Sequence, residues 1–318
     1  MKTGELTRAG VLSALIVLFI LAFIYVPVVS YFGMFLGACA VAVLVVSVPS
    51  PKAIVLSLGV SMVLTALFSD VMTMLYSGAL MVMLPGIALG ICFRKKASFA
   101  TLLLCGGLAY LAAMVLGFVL MKVLYHTDMI AELKTMSEEF FRGMIKVMES
   151  MPELANQAEA EAFEQALPSL LDMVTMVLPG VFLMAAGMLS LGSVLLSRGV
   201  LRRMGTDVSY LPSFSCLTVS KQISYGYLLL MVASLFVKNA SLYFMLYNVA
   251  LVLSLILFVC GVSLLKYWIN KTGVPKGVCL LLLCMVLPFL MLLFQFVVLL
   301  GAADTLWDFR RLRGKKAM

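Results

Sequence analysis

The sequence predicts an all-α protein, a polytopic bundle of eight or nine transmembrane helices with an amphipathic helical insertion on its outer side. Hydrophobic residues make up 64% of the chain and charged residues only 12%, about half of the roughly 25% found in an ordinary soluble domain. The mean hydropathy is +1.13. Nine stretches carry almost no charge, and most approach the roughly 20 residues that cross a bilayer core. These stretches are residues 9–29, 31–48, 53–69, 71–93, 99–121, 172–197, 222–237, 240–265 and 277–303.

Charges between these stretches predict which side of the membrane each loop occupies. Short loops rich in Lys and Arg remain cytoplasmic, so Lys2 and Arg8 place the N-terminus in the cytoplasm, and the first stretch is expected to be a signal anchor. Residues 123–171 carry nine acidic and three basic side chains and fall outside. The cluster formed by Arg198, Arg202 and Arg203 then falls inside.

The last apolar stretch breaks this alternation. A ninth crossing over residues 277–303 would leave a strongly basic tail outside, against the charge rule. Three explanations are open: a re-entrant hairpin bent at Pro288, a marginal stretch that does not cross, or a tail that is an exception to the rule.

Two apolar stretches contain Leu-Pro-Gly and end in basic residues. Proline removes a backbone hydrogen bond and frees a carbonyl, which lipid tolerates only where protein or an aqueous cavity supplies the missing partner. We therefore expect Pro85 and Pro179 to face the interior of the bundle. Each is either a packing kink or the lining of a ligand cavity, as in transporters with interrupted helices.

The outer insertion is expected to form two amphipathic helices. Apolar residues recur at steps of three and four up to Met151, Pro152 should end the first helix, and the Ala- and Glu-rich run 153–167 favours a second. Pro168 is expected to precede the next span. These helices either cover their apolar stripes on the membrane surface or on each other, or form a lid over an outward-facing pocket.

Small residues four positions apart occur at Gly10/Ala14, Gly33/Gly37 and Gly86/Gly90. Such pairs let membrane helices approach closely, either within this chain or against a partner. No ionisable residue lies deep in a span, which argues against a proton-relay pump.

The chain offers no recognisable catalytic or cofactor-binding set. It has no nucleotide-binding loop, no nucleophile elbow and no metal-binding motif, so we expect neither an enzyme nor a cofactor. The seven cysteines lie mostly in apolar runs and suggest neither a disulfide framework nor a metal site. The basic residues behind the net charge of +8 lie where membrane topology requires them, so we expect no nucleic-acid partner. Membrane lipids are the expected partners.

Several segments together resemble the YybS-like integral membrane family. They are "TRAGVLSALIVLFILAFIYVP", "LPGIALGICFRKK", the long outer insertion and the ending "GAADTLWDFRR". Gly301, Asp304, Asp308, Phe309 and Arg310 match the family's ending, whereas its aromatic pair is here Leu306-Trp307. The first two-thirds of the family is similar to the substrate-binding S-components of energy-coupling factor transporters, which have six helices and cytoplasmic termini.

This resemblance implies a division into a six-helix bundle over residues 1–210 and a C-terminal membrane region over 211–318. It also implies that Gly10 and Ala14 meet an energising module, the partner that would supply energy for transport. The implied ligand pocket lies at the outer helix ends and uses Asp70, Tyr76, Lys122, His126, Asp172 and Thr175, to which the kink argument adds Pro85 and Pro179.

Two functions are therefore expected from different classes. The first is a multi-pass protein of the bacterial inner membrane that binds a small molecule or micronutrient from outside and assists its uptake. The alternative is a non-transporting scaffold or regulator of envelope processes, with the acidic outer helices as its docking surface.

Overall fold

The computed structural model describes residues 3–26, 30–150, 157–273 and 290–310. All regular structure in these ranges is helical, which confirms the predicted all-α class. The chain separates into two compact units, Met1–Val208 and Ser209–Met318. We number the helices α1 (Thr3–Tyr25), α2 (Ser30–Ser47), α3 (Pro51–Ala66), α4 (Val71–Arg94), α5 (Phe99–Tyr125), α6 (Met129–Ser150), α7 (Gln157–Arg203), α8 (Lys221–Ser234), α9 (Ala240–Thr272) and α10 (Leu290–Trp307).

Several of these helices have the length and composition of membrane spans. Within the described ranges, five are long and apolar enough to cross a bilayer: Gly4–Tyr25, Val71–Arg94, Phe99–Tyr125, Glu161–Arg203 and Ala240–Thr272. Shorter apolar helices cover Phe32–Ser47, Pro51–Ala66 and Leu293–Trp307. This composition agrees with a polytopic membrane protein of about the predicted number of spans. We call outer those helix ends that adjoin residues 123–171.

Helix α2 is central to the first unit, since it packs against α1, α4 and α7. Two of the three small-residue pairs lie at these contacts. A Cβ atom added at Gly86 would lie 2.5 Å from the Cβ of Val41, and one added at Gly33 would lie 2.8 Å from the carbonyl oxygen of Phe19. Only glycine permits this backbone separation, so both pairs serve packing within the unit.

Helix α4 changes its winding just before Pro85. Residues Leu75–Met83 form a π-helical segment, and the N–H of Leu84 donates to the carbonyl oxygen of Ala79, five residues earlier. Because Pro85 has no N–H to donate, the wider winding accommodates it without ending the helix. Pro85 is buried as expected. Its neighbour Gly86 is packed against Val41, which favours a packing kink at this proline.

Helix α7 differs from the prediction. It runs without interruption through Pro168 and Pro179, so the expected second amphipathic helix and the following span are one helix. Pro179 is exposed, and the expectation that it faces the interior is wrong. A proline costs the helix one hydrogen bond, whereas ending the helix in lipid would leave several backbone groups without partners. Continuation is therefore the less costly solution.

Helix α6 packs antiparallel along the outer part of α7. Lys134 lies 3.3 Å from Asp172, and the rings of Phe141 and Phe163 meet edge to face at a centroid distance of 6.1 Å. The insertion is thus a helical hairpin whose second arm continues a span, and its helices lie on each other, as one of the alternatives stated. The expected stop at Pro152 lies outside the described residues.

The second unit is built around α9, which packs against α8 and α10. Its core contains Tyr227, Ala250, Leu257, Val298 and Ala302. Helices α9 and α10 touch through their backbones, because a Cβ at Gly301 would collide with the carbonyl oxygen of Leu257 and lie 2.7 Å from the nitrogen of Gly261. This glycine contact was not among the predicted small-residue pairs.

Candidate functional site

Most of the predicted site residues lie at the outer ends of α4, α5 and α7, at a similar height along the helix axes. Tyr76 of α4 packs on Gly117 of α5, and Phe118 of α5 packs on Phe182 of α7 at a ring-centroid distance of 5.2 Å. Since α5 is antiparallel to both neighbours, these contacts set the relative heights of the three helices. The outer ends therefore lie side by side, and we call this region the outer mouth.

Asp70 is the N-cap residue of α4 and lies at the outer mouth. Its Oδ1 accepts hydrogen bonds from the N–H groups of Met72 and Thr73, both at 2.9 Å. Hydrogen bonds from the side chain and then the backbone of Thr73 hold the pKa of Asp70 below its ordinary value. Asp70 is therefore a negative charge at neutral pH. Its position follows from the preference of aspartate for helix N-termini.

Lys122 and His126 lie at the outer end of α5. The amino group of Lys122 is 3.7 Å from Oδ2 of Asp128, with both side chains largely exposed. His126 ends the helix in the left-handed conformation at φ 54°, and its N–H donates to the carbonyl oxygen of Met121. Asp128 was not a predicted site residue, although its place in a short polar linker could have drawn attention to it.

Asp172 and Thr175 are neighbours on the outer part of α7. Asp172 pairs with Lys134 of α6, and the exposed fractions of the two side chains are 65% and 45%. The hydroxyl of Thr175 donates to the carbonyl oxygen of Asp172 at 2.8 Å. Lys134 was likewise missed from the sequence, because the antiparallel packing of α6 on α7 is what brings it to Asp172.

The two prolines differ from the other predicted site residues in their surroundings. Pro85 is buried next to the contact of Gly86 with α2, and Pro179 is exposed on α7. Neither has a charged or polar side chain to offer a ligand. The outer mouth therefore depends on the charged and polar residues rather than on the kinks.

Gly10 and Ala14 occupy an open face of α1. Both are exposed, and no atom of the described residues lies within 4 Å of a Cβ added at Gly10. This pair differs from Gly33/Gly37 and Gly86/Gly90, which are used for packing within the unit. The face can therefore accept lipid or another helix without rearrangement.

A buried polar cluster lies between α5 and α7. The hydroxyls of Tyr110 and Ser193 are 2.8 Å apart, and Ser190 donates to the carbonyl oxygen of Leu103 at 2.9 Å. All three side chains are fully buried. Serines at steps of three and four on α7 were a visible signal for this cluster, but sequence analysis did not single them out.

A second buried polar cluster lies in the second unit, next to the segment that precedes α8. Arg310 and Asp304 form an ion pair with side-chain exposures of 0% and 2%. Arg310 also donates to the carbonyl oxygens of Ser215 and Leu217 at 2.7 and 2.8 Å and to the hydroxyl of Ser263 at 2.7 Å. Sequence analysis noted both charges only as part of the family ending, because burial at a helix end cannot be seen in the sequence.

The next feature is metal ligation, considered for residues 3–26, 30–150, 157–273 and 290–310. Within those ranges, no group of three or more His, Cys, Asp or Glu side chains is arranged to hold a metal ion.

Comparison with known proteins identifies the family. The family model described as "Predicted membrane protein (DUF2232)" matches residues 14–305. The chain is also 23% identical over 287 residues to the uncharacterized protein YybS of Bacillus subtilis (strain 168), covering 87% of this chain and 88% of that protein. No solved structure matches, so the similarity to S-components stays a prediction. The chain belongs to the DUF2232 family of predicted membrane proteins, as the YybS-like resemblance indicated.

Proposed function

We propose that this multi-pass membrane protein binds a small molecule from the outer side, at the outer mouth of its first unit. The observation that carries the proposal is the gathering of opposite charges there. Asp70, the Lys122–Asp128 pair and the Lys134–Asp172 pair lie at the outer ends of adjacent helices. A role in uptake is the extension that the resemblance to S-components implies.

The charge pairs at the mouth are suited to exchange their partners. Exposed ion pairs contribute only about 0–1 kcal/mol to stability, so a ligand that carries its own charges can replace one partner at little cost. Lys134 and Asp172 present an ammonium and a carboxylate 3.3 Å apart. A zwitterion or a weakly charged micronutrient would match both groups at once.

Transport would require a partner, since the chain has no nucleotide-binding motif. The open face at Gly10 and Ala14 supports an energising module as that partner, because small residues allow close helix contact. In this arrangement α1 carries the coupling face and the outer mouth carries the ligand. We place the N-terminus in the cytoplasm, as Lys2 and Arg8 at the start of the chain indicate.

Ligand binding can be tested with the full-length protein in detergent. A panel of vitamins and amino acids is screened for thermal stabilisation, which appears when a ligand binds the folded state. For any compound that stabilises the protein, Lys134→Ala and Asp172→Asn should each reduce the affinity at least about tenfold. That loss corresponds to one charge-assisted hydrogen bond.

The matched control is Glu138→Gln, which breaks the exposed Glu138–Arg142 pair on the same α6 helix but away from the mouth. It should leave the affinity unchanged. A panel without any stabilising compound, or an equal loss in all three variants, would remove the support for a site at the outer mouth.

The alternative function, a scaffold for envelope processes, is favoured by the charge and surface of the hairpin. Residues 153–164 contain four glutamates and no basic residue. On α6, Met136, Phe140, Met144 and Val147 are exposed apolar side chains. A partner with a basic rim and an apolar centre fits this surface. Loss of a co-purifying protein on deletion of residues 128–167, with no compound found in the panel, would favour the scaffold.

A further inference from the structure

The C-terminal end of the described chain is tied firmly into the second unit. Within the described residues, Arg310 makes five donor contacts to four acceptor groups: the carboxylate of Asp304, the carbonyl oxygens of Ser215 and Leu217, and the hydroxyl of Ser263. The guanidinium is fully buried among them. We call Asp304 and Arg310 the latch.

The latch lies at the end of the unit where the chain enters it. Residues 214–217 are the short segment that precedes α8, and the amino group of Lys266 on α9 stands 5.3 Å from the ring centroid of Phe214. Helices α8 and α9 form an antiparallel pair, with Gly226 next to Leu253. The chain therefore leaves this end through α8 and returns to it near Ser263.

Helix α10 runs towards the same end. Near its start, Gln295 donates to the hydroxyl of Tyr227 at 2.8 Å, and Tyr227 packs with Ala250. Near its end, Asp304 and Arg310 reach Ser263, 13 residues further along α9 and so about 20 Å away at 1.5 Å per helical residue. Helix α10 thus runs in the same direction as α9.

We infer that the latch holds Arg310, at the end of the described chain, on the same side of the membrane as residues 209–217, so that the chain from the end of α9 to Arg310 makes no net crossing. Helix α9 already ends on that side, and α10 ends there again. The chain from the end of α9 to the end of α10 therefore starts and finishes on one side, which is what a re-entrant hairpin or a pair of spans requires. This inference concerns topology and is independent of the proposed ligand site.

The inference removes the conflict between charge and topology that the sequence leaves open. Residues 209–217 follow directly after the basic end of α7, which the charge rule places in the cytoplasm. The sequence after Arg310 contains Arg311, Arg313, Lys315 and Lys316, and the charge rule expects these basic residues on that same side. Of the three explanations considered, the hairpin is the one that this geometry favours.

Breaking the latch should cost free energy, so the latch should fix one arrangement of the second unit. A buried ion pair gains little over a well-packed apolar pair, but removing one partner leaves an uncompensated buried charge. Oδ1 of Asp304 is buried without a hydrogen-bond partner among the described residues, so Arg310 is the counter-charge of this carboxylate. Release of Arg310 should therefore be unfavourable, and the tail should stay where the latch holds it.

Cysteine accessibility tests the topology directly. Three single-cysteine proteins are made: one that keeps the native exposed Cys216, one with Met318→Cys and one with His126→Cys. Each is treated in intact spheroplasts with a membrane-impermeant maleimide. We expect the Cys216 protein and the Met318→Cys variant to behave alike and opposite to the His126→Cys variant. Any result in which the first two differ overturns the inference, whatever the absolute orientation.

A second measurement tests the latch itself. Cys260 is buried on α9, and its reaction rate with a permeant maleimide reports opening of the second unit. Arg310→Gln should raise this rate at least about tenfold, because it strands the carboxylate of Asp304. Combining Arg310→Gln with Asp304→Asn should bring the reaction rate of Cys260 part of the way back to that of the parent protein, since both charges are then gone.

The matched control for the latch is Lys96→Gln, which breaks the exposed Lys96–Asp207 pair. Its Cys260 reaction rate should equal that of the parent protein. If Arg310→Gln prevents folding, Arg310→Lys replaces it. This variant should still raise the rate, because one ammonium cannot reach all the acceptors, but by less than Arg310→Gln, because it keeps a positive charge beside Asp304. A rate for the arginine variant within about twofold of the control would show that the pair is not a latch.

Discussion

Replacing Gly301 by alanine should weaken the second unit selectively. A Cβ at this position would lie 2.7 Å from the backbone nitrogen of Gly261 and closer still to the carbonyl oxygen of Leu257, whereas ordinary contact begins at 3.4 Å. Both obstacles are backbone atoms of α9 and cannot turn away as a side chain can. Helices α9 and α10 must therefore move apart locally by more than the 0.7 Å that the contact with the Gly261 nitrogen alone requires.

The size of this effect follows from two opposing contributions. Overpacking a tight contact costs about 1–3 kcal/mol, and we expect the upper end because the obstacles are rigid. Alanine in place of glycine returns about 1 kcal/mol of helix propensity. The net loss is about 2 kcal/mol, which corresponds to a fall of about 10 °C in the melting temperature of a unit of roughly 100 residues.

A thiol-reactive dye can assign the loss to one unit. In a protein that retains only the buried Cys260, Gly301→Ala should lower the temperature at which the dye reacts by about 10 °C. In a protein that retains only the buried Cys39 of the first unit, the same substitution should have no effect. Detergent-solubilised full-length protein serves for both measurements.

Gly226→Ala is the matched control within the second unit. Among the described residues, a Cβ there would meet only the Cδ1 atom of Leu253, at an ordinary 3.8 Å. The control should therefore leave the Cys260 transition unchanged or raise it slightly through helix propensity. If Gly301→Ala behaves like this control, the close backbone contact of α9 with α10 does not exist and the argument for it fails.

Two further predictions concern the first unit. Tyr110→Phe should lower its stability by about 1 kcal/mol, because it leaves the buried hydroxyl of Ser193 without its partner; the Cys39 transition measures this, and a combined Ser193→Ala should recover part of the loss. Hydrogen bonds from the N–H groups of Ala131 and Ile130 lower the pKa of Asp128, so its contribution to α6 is present above the ordinary aspartate value of about 3.9 and is lost as the pH falls through the lowered value. Pepsin cleavage at Phe140–Phe141 should accordingly accelerate relative to an Asp128→Asn protein between about pH 5 and pH 2, and a constant ratio would contradict this.

Most of the fold class could be predicted because hydropathy and length are properties of the sequence alone. Long apolar runs in a chain with few charges can only be membrane helices, and α4 and α5 begin and end within four residues of the expected bounds. The continuity of α7 could not be predicted, because a proline ends some helices and is tolerated in others. Which of these occurs depends on the rest of the helix and its neighbours.

The candidate site was predictable in part for the same reason. Asp70, Lys122, His126 and Asp172 stand out in the sequence as charges at the ends of apolar runs. Lys134 and Asp128 complete the pairs at the outer mouth, but their roles depend on the packing of α6 against α7 and on the turn before it. These contacts join residues up to 38 positions apart, so no repeating pattern in the sequence indicates them.

By itself, the sequence determined that this protein is an all-helical membrane protein, because apolar composition and charge placement act locally and along the chain. Only the tertiary structure decided that Pro85 is absorbed by a π segment, that Gly301 meets the backbone of α9, and that Arg310 is buried against Asp304. Each of these depends on distances between segments far apart in sequence. Burial and close approach arise when helices pack, so they cannot be read from any single stretch of residues.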